Sequence, residues 1–397
     1  MLSVDEAIAL VIADAAVLPG EMVPLAYAHE RVLAVDVAAK LTQPPFRSSA
    51  MDGYAVRQSD LAALPATLRL LGTSAAGHAF DAQVGPGAAV RIFTGAPVPA
   101  GADYVVIQEN ADAAGNEVHI RELNAENFIR SRGVDFNAGD ILLRSGKRLT
   151  ARDLMLAAQM NHPSLPVCRR PRVAVLASGD ELVPPGSRPA ASQIISSIPS
   201  ALVAMLLAAG AEPALLGIAR DTPESLAQHI AAAEGADILV TIGGASVGDY
   251  DLVQKALEDA GFVIEFHKVA MRPGKPFMSG RRGDQRVLGL PGNPVSAVIC
   301  AIIFLMPLLA ALLGEDRRPL SLTRVALASP LPANGPRQHY MRARIVDVGG
   351  ARAVEPLPSQ DSALTAALAL ADCLIVRPPE APPVPAGELV AVLPLNA

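Results

Sequence analysis

Asp237-Ile238-Leu239-Val240-Thr241-Ile242-Gly243-Gly244-Ala245-Ser246-Val247-Gly248-Asp249 reads as a short apolar strand running into a glycine-rich turn, with a helical pattern following over 251–260. Three similar turns surround it. Ser178-Gly179-Asp180-Glu181 ends a strand predicted over 173–177, and Leu290-Pro291-Gly292-Asn293-Pro294-Val295-Ser296 ends one over 286–290. Arg272-Pro273-Gly274-Lys275-Pro276 follows another predicted strand. All four are expected at the carboxyl edge of one open sheet. That edge binds anions, because glycine exposes backbone N–H groups there and the following helices present their positive ends.

Working outward, the pattern alternates. A helix is predicted over 199–209, a strand over 214–219, a helix after Thr222-Pro223-Glu224 and a strand over 262–266. Strands and helices alternating at these lengths predict crossover connections and a mostly parallel sheet. Upstream, 43–145 is rich in turns and short strands, such as 89–93 and 104–107, and reads as a β-rich insertion. It divides a helical unit whose pieces are 1–42, opening on a helix capped by Ser3, and 146–170, with a helix near 150–158. The α/β unit then spans 171–318. A small β unit spans 319–397, with strands near 322–328, 341–348 and 388–393 and a proline-rich loop at 378–383. The expected class is therefore α/β plus β, in several domains.

Composition narrows the function. The chain has 397 residues, 51% of them hydrophobic, which is ample for buried cores. Aromatics are only 4%, tryptophan is absent and the net charge is −6. That excludes base-stacking platforms and a broad basic footprint, so no nucleic-acid partner is expected. An anionic ligand must instead meet a few local cations or a metal. Cys168, Cys300 and Cys373 lie far apart, which suits a reducing compartment and excludes a cysteine metal cluster. The N-terminus has no basic signal region, and a cytoplasmic location is expected. Residues 295–313 carry no charge and reach the length of a membrane span. Their place after a strand and an Asn-Pro turn predicts a helix buried against the sheet, not a membrane segment.

The turns carry the chemistry. In 243–249, Gly243, Gly244 and Gly248 allow close backbone approach to an anion and Ser246 adds a hydroxyl, although a turn needing glycine only for its geometry has the same sequence. It matches neither the dinucleotide fingerprint nor the P-loop. Arg272 and Lys275 are cations on a turn stiffened by Pro273 and Pro276. Beside the glycine loops they read as an anion clamp; alone they would read as a solvated basic loop. Glu181, Asp221, Asp249 and Asp251 follow predicted strands, and carboxylates beside a phosphate site make sense with Mg²⁺ between them. In the first half, Ser48–Val56 with Asp52-Gly53 and 133–140 with Asp135 are dense in polar turn residues, and their spacing alone decides nothing.

With these residues in hand, the chain resembles the molybdopterin molybdenumtransferase family of the MoeA/gephyrin type. The likeness is collinear through 45–55 (Pro-Phe-Arg-Ser-Ser-Ala-Met-Asp-Gly-Tyr-Ala), 93–103 (Phe-Thr-Gly-Ala-Pro-Val-Pro-Ala-Gly-Ala-Asp) and 133–136 (Gly-Val-Asp-Phe). It continues through 178–182, 243–251, 272–276 and 290–296. The resemblance implies an elongated four-domain protomer with a molybdopterin-binding α/β domain. It also implies a homodimer with its site between the α/β domain of one subunit and the β-rich domain of the other. The implied substrates are molybdate and adenylylated molybdopterin, with Mg²⁺ as cofactor and AMP released.

Carried over by motif, Asp52, Asp135, Glu181, Asp221, Asp251, Arg272 and Lys275 would be catalytic, and Glu181, Asp221 and Asp251 would hold the metal. Substrate contacts would come from Thr94, Ser178, Gly179, Asp180, Ser197, Gly243, Gly244, Ser246, Gly248, Asp249, Pro273, Gly274, Pro291, Gly292, Asn293, Pro294 and Ser296. A molybdopterin adenylyltransferase and proteins that mature molybdoenzymes are the implied partners. Two departures stand out. Ile198 occupies a position where the family pattern carries Asn, after Ser196-Ser197, and Arg272 stands where Lys is common. The alternatives to metal insertion are the adenylyltransferase reaction and a non-catalytic molybdopterin carrier or scaffold.

Overall fold

A computed structural model describes residues 1–243, 252–315 and 320–395. Its centre is a six-stranded sheet in the order Glu212–Ala219, Arg172–Ser178, Ile238–Ile242, Gln285–Leu290, Met278–Arg282, Val263–Phe266. Pairings among the first four are parallel, and the last two strands join through antiparallel pairings. Strand Met278–Arg282 is the element the sequence pattern does not announce. It forms a tight hairpin with Gln285–Leu290, whose turn needs Gly283 at φ +58°.

Successive side chains of a strand point to opposite faces, and both faces of this sheet are covered. Val173, Val175, Ile238, Val240, Leu288 and Leu290 enter one core, while Ala174, Leu176, Leu239 and Val287 enter the other. The apolar stretch after Asn293 is a continuous helix, Pro294–Leu312, and it is mostly buried in the first core. Its middle, Ala301–Leu305, is π-helical. Pro307 supplies the reason: it has no N–H for the carbonyl four residues back, so the ladder re-registers there.

The opening helix, Val4–Ile12, has the expected Ser3 cap, completed by Glu6 reaching back to the Ser3 N–H at 2.8 Å. Its packing differs from the expected assignment of 1–42 to the discontinuous unit. Val4, Ala7 and Val11 join the core of the α/β unit beside the Pro294–Leu312 helix. The apolar stripe of this short helix is complementary to a helix that is apolar all round, and burial decides its placement.

Residues 20–40 and 136–168 share a separate core around Leu33, Leu143, Leu149, Met160 and Leu165. Helix Ala151–Gln159, capped by Thr150 and Asp153, lies there with the strand pairs Gly20–Pro24/Ser164–Cys168 and Val37–Ala38/Ile141–Leu143. The insertion between them is a six-stranded sheet with apolar clusters on both faces. In the C-terminal unit, Cys373–Arg377 pairs with both Leu389–Pro394 and Gln338–Val348, which closes the strands into a small barrel.

Arg148 links the discontinuous unit to the α/β unit. Its guanidinium donates Nε–H and Nη2–H bonds to the two Glu315 carboxylate oxygens at 2.8 and 2.7 Å, with further bonds to the Glu30 and Ala209 carbonyls. Both side chains are about nine-tenths buried, and burial is tolerable because nearly every donor is satisfied. Arg148→Met is therefore expected to destabilise the chain by about 3 kcal/mol, by leaving Glu315 buried and unpaired. Urea unfolding should show the loss, and the double variant Arg148→Met/Glu315→Leu should recover part of it.

Candidate functional site

Three strand ends of the central sheet crowd together at its carboxyl edge. Gly243 sits at φ +92°, and a Cβ there would lie 2.8 Å from the Ser178 carbonyl oxygen. A Cβ on Gly292 would lie 3.8 Å from the Gly243 Cα. Glycine is thus required at 243 by both conformation and space. The buried Ser178 hydroxyl donates to the Ile242 carbonyl at 3.5 Å. Gly244, Ser246, Gly248, Asp249 and Asp251 lie outside the described residues.

Beside this crest stand carboxylates. Glu181 folds back over Gly179, whose Cβ would meet its Oε2 at 2.6 Å. The Asp221 N–H donates to Asp180 Oδ1 at 3.5 Å. Desolvation raises the Asp221 carboxyl above its ordinary range, and the negative charges of Asp180 and Glu181 add to the rise. Arg220 Nη1, 3.7 Å from Asp180 Oδ1, meets part of this negative charge, and hard carboxylate oxygens suit Mg²⁺. Among the described residues no three acidic, His or Cys side chains are arranged to hold a metal ion.

The Arg272 turn is placed differently from its prediction. The strand before it, Met271–Arg272, does not belong to the α/β sheet. It pairs in parallel with Gln338–His339 of the C-terminal barrel. The turn therefore bridges two units and faces the Pro291–Ser296 loop across a cavity of about 350 Å³. Arg272, Pro273, Gly274, Lys275, Pro291, Asn293 and Ser296 line it, and Pro294 is the first residue of the helix behind. Gly274, at φ +108°, rests on Cys300: a Cβ there would lie 2.5 Å from the sulfur. Beyond Pro276, Phe277 stacks on Phe304 of the same helix at 4.1 Å and anchors the turn.

Four residues of the C-terminal unit, Arg337, Gln360, Asp361 and Ser362, complete the cavity. Asn293 Nδ2 donates to the Ser362 hydroxyl at 3.1 Å, and the Val295 N–H donates to the Ser362 carbonyl at 3.1 Å, so this loop is docked on the helix start. The side chains of Arg272, Lys275 and Arg337 have neither a hydrogen bond nor an ion pair among the described residues. Three unpartnered cations against one carboxylate, Asp361, leave the cavity with an excess of positive charge, which suits a small oxyanion.

Asp52 and Thr94 come together in the inserted unit. Thr94 donates to Asp52 Oδ1 from its backbone N–H at 2.7 Å and its hydroxyl at 2.8 Å. These bonds, with Arg91 nearby, hold the Asp52 carboxyl below its usual range and keep it ionised. Gly53 follows because a side chain there would strike the Val106 carbonyl of the neighbouring strand, 1.9 Å from its Cβ. Asp135 is exposed on a segment tied to 43–49 by the Asp135 N–H to Gln43 and Gly133 N–H to Pro44 bonds. Neither acid lines the Arg272 cavity of its own chain.

The sequence of this chain matches the MoeA N-terminal region (domain I and II) over residues 2–161, a probable molybdopterin binding domain over 174–311, and the MoeA C-terminal region (domain IV) over 324–395. It is 35% identical to a molybdopterin molybdenumtransferase of Haemophilus influenzae across 95% of this chain and 94% of that one. This chain belongs to the MoeA family. It is 37% identical to a molybdopterin molybdenumtransferase of Nostoc sp. across 81% of this chain and 76% of the relative. The crystal structure of a molybdopterin biosynthesis MoeA protein from Pyrococcus horikosii superposes over 100% of both chains, with a TM-score of 0.87 and 28% identity.

Within this MoeA family chain, Ser197 is exposed at the start of helix Ile198–Ala208, while Ser196 and Ile198 are buried. Ile198 joins the core with Leu202 and Val175, so the alkyl group at that position serves packing. Sequence reasoning did not find Arg337, Gln360, Asp361 and Ser362. Arg337 precedes strand Gln338–Val348, and the other three lie in a polar loop between strand Ala351–Pro356 and helix Thr365–Ala369; nothing in their spacing announces a return to the helix at 294. Behind Arg337, His339 is 7% exposed, and its Nε2 has no hydrogen-bond partner. Burial, reinforced by Arg272, Arg337, Arg342 and Arg377, pushes its pKa down from 6.5 to about 4.

This depression makes stability depend on pH. Between pH 6.5 and about 4 the unfolded chain binds a proton on His339 that the native chain refuses. The stability His339 contributes is therefore present above 6.5 and lost as pH falls toward 4, by roughly 3 kcal/mol. Denaturation midpoints at pH 7 and pH 4.5 should fall less for His339→Gln than for the native sequence.

Proposed function

We propose that this protein inserts molybdenum from molybdate into adenylylated molybdopterin and releases AMP. The observation that carries the reading is the cleft between the α/β edge and the barrel, where Arg272, Lys275 and Arg337 face a cavity large enough for an oxyanion with no carboxylate bound to them among the described residues. Molybdate is the oxyanion assigned to it. Arg272 and Lys275 neutralise its charge, and Ser296 and the Asn293 amide supply neutral donors at the wall. The crest of Ser178, Gly243 and Gly292 takes the pterin phosphate side, because bare backbone approaches phosphate without a side chain in the way.

Glu181, Asp221 and Asp251 are the residues to hold Mg²⁺, which when bound would neutralise pyrophosphate charge during release of AMP. The raised Asp221 carboxyl is relieved by a cation placed among these acids. A homodimer completes the site, with Asp52 and Asp135 reaching the cleft of the second copy. In support, exposed apolar side chains flank both acids: Met51 beside Asp52, Phe93 beside Thr94, and Val134 beside Asp135. An ionised Asp52 held rigidly by Thr94 suits orientation of a metal ion or a proton-bearing ligand from across the interface. The location is cytoplasmic, where three buried free thiols persist reduced. A molybdopterin adenylyltransferase supplies the substrate, and molybdoenzyme-maturation proteins receive the product.

Purified protein with adenylylated molybdopterin, Mg²⁺ and molybdate should release AMP in a molybdate-dependent manner and yield dithiolene-bound molybdenum. Tight pterin binding without cleavage would replace this reading with that of a carrier and make Ile198→Asn the next variant. Asp52→Ala and Lys275→Ala should each lose at least ~100-fold in rate, as for removal of an electrostatic group at a reacting centre. Mixed and re-equilibrated, the two inactive variants should recover about a quarter of native activity, since only hybrid dimers hold one intact site. No recovery would sink the shared site.

A further inference from the structure

The ladder that joins the barrel to the Arg272 turn carries a second message. Arg272 pairs with His339, and His339 pairs on its other side with Arg377. Residues directly opposed across adjacent strands share a face of the sheet, so His339 stands between Arg272 and Arg377 in the ladder. Arg377 is committed: its Nη2 donates to the Ala381 carbonyl at 3.3 Å and to that of Pro382. Arg342 is committed as well, donating to the carbonyls of Asp361 at 2.8 Å and Ser359 at 3.3 Å. Arg272 has no partner among the described residues, and His339 Nε2 is the buried polar atom nearby that lacks one. A free donor and a free acceptor thus stand opposite each other at the wall of the oxyanion cleft.

We propose that His339 is a positioning residue for the oxyanion: both groups are unpartnered in the unliganded chain, and when the oxyanion binds, the His339 Nε2 accepts an N–H of the Arg272 guanidinium and holds the other donors toward the cleft. The inference rests on the oxyanion reading of that cavity and deepens it. A neutral imidazole is the side chain suited to this place. A carboxylate would pair with Arg272 and cancel its charge, and a cation would repel it. An alkyl group would leave the arginine free to rotate and pay the full ordering entropy on binding. Burial, with the surrounding guanidiniums, keeps the imidazole unprotonated at neutral pH, so its lone pair stays available. His339 touches neither substrate nor reacting atom in this assignment and acts through Arg272 alone.

The test measures molybdate binding by titration calorimetry of the full chain with molybdate alone. It also measures the KM for molybdate and kcat in the AMP-release assay. The proteins are the native chain, Arg272→Ala, His339→Leu and His339→Gln. His339→Leu is expected to weaken molybdate binding and raise its KM about tenfold, the size of one lost hydrogen bond to a charged group, with a smaller effect on kcat. His339→Gln, which returns an acceptor near the Nε2 position, should restore both within about threefold. The inference is overturned if Arg272→Ala loses molybdate while His339→Leu binds like the native chain. It is equally overturned if Gln fails to rescue at native thermal stability, which marks a structural role only. If His339→Leu does not fold, the Gln variant decides alone: native-like KM supports the assignment and a tenfold rise removes it. Absence of molybdate binding in the native chain removes the oxyanion reading itself, and the inference with it.

Discussion

The two-residue parallel ladder between Met271–Arg272 and Gln338–His339 is the constraint on which the site depends. Without it, Arg272 and Lys275 would sit on a connection at the margin of the α/β sheet, and Arg337 would belong to a separate barrel. With it, cations separated by more than 60 positions in sequence face one cavity. Few contacts make the junction, so its geometry is protected from both sides. Phe277 stacks on Phe304 below the turn, and Ser362 docks on Asn293 and Val295 at the opposite wall. Each anchor ends on the Pro294–Leu312 helix. The apolar run that has the length of a membrane span is here the floor of the cleft, 78% buried over its most apolar window.

Charge is unevenly distributed along one sheet edge, cations prevailing on one side, where Asp361 also lines the cavity, and acids on the other, where Arg220 pairs with Asp180. The chain as a whole is negative, at −6, yet the barrel side of the cleft presents Arg272, Lys275 and Arg337. Behind them Arg342 and Arg377 are buried, and burial lowers the pKa of both below the usual arginine value. Asp180, Glu181 and Asp221 lie at the ends of the Arg172–Ser178 and Glu212–Ala219 strands, on the other side of the glycine crest. A ligand carrying phosphate, with a divalent cation at one end and an oxyanion at the other, is matched by this division. The bridges that hold the units together are kept away from it. Arg148–Glu315 and the bidentate Arg169–Asp237 pair lie among the joints of the discontinuous and α/β units, where their charges are internally satisfied.

How much of this was legible in the chain varies with the range of the contact. Thr222 and Pro223 announced the Pro223–Ala231 helix, and the hydroxyl of Thr222 does accept the Ser225 N–H. Asp52-Gly53 carried no decisive local signal, because its glycine answers to Val106, more than 50 residues away. The Met278–Arg282 strand was hidden for a related reason. Met-Ser-Gly-Arg-Arg has no clear alternation, and only pairing with Gln285–Leu290 makes it a strand.

By itself the sequence determined the local rules: where strands stop at glycine, which helices begin near Ser3, Thr150 and Thr222, and that the uncharged run 295–313 reads as a helix buried against the sheet. It also determined membership of the MoeA family, because ordered motifs such as 45–55, 272–276 and 290–296 do not depend on coordinates. Only the tertiary structure decided that the first helix joins the α/β core, that the Arg272 turn pairs with the barrel, and that Arg337, Ser362 and His339 belong to the cleft. The physical reason is the distance over which each rule acts. Capping, turn conformation and apolar periodicity are settled within a few residues of chain. Which cation faces which cavity is settled by burial and strand pairing between segments that the sequence leaves far apart.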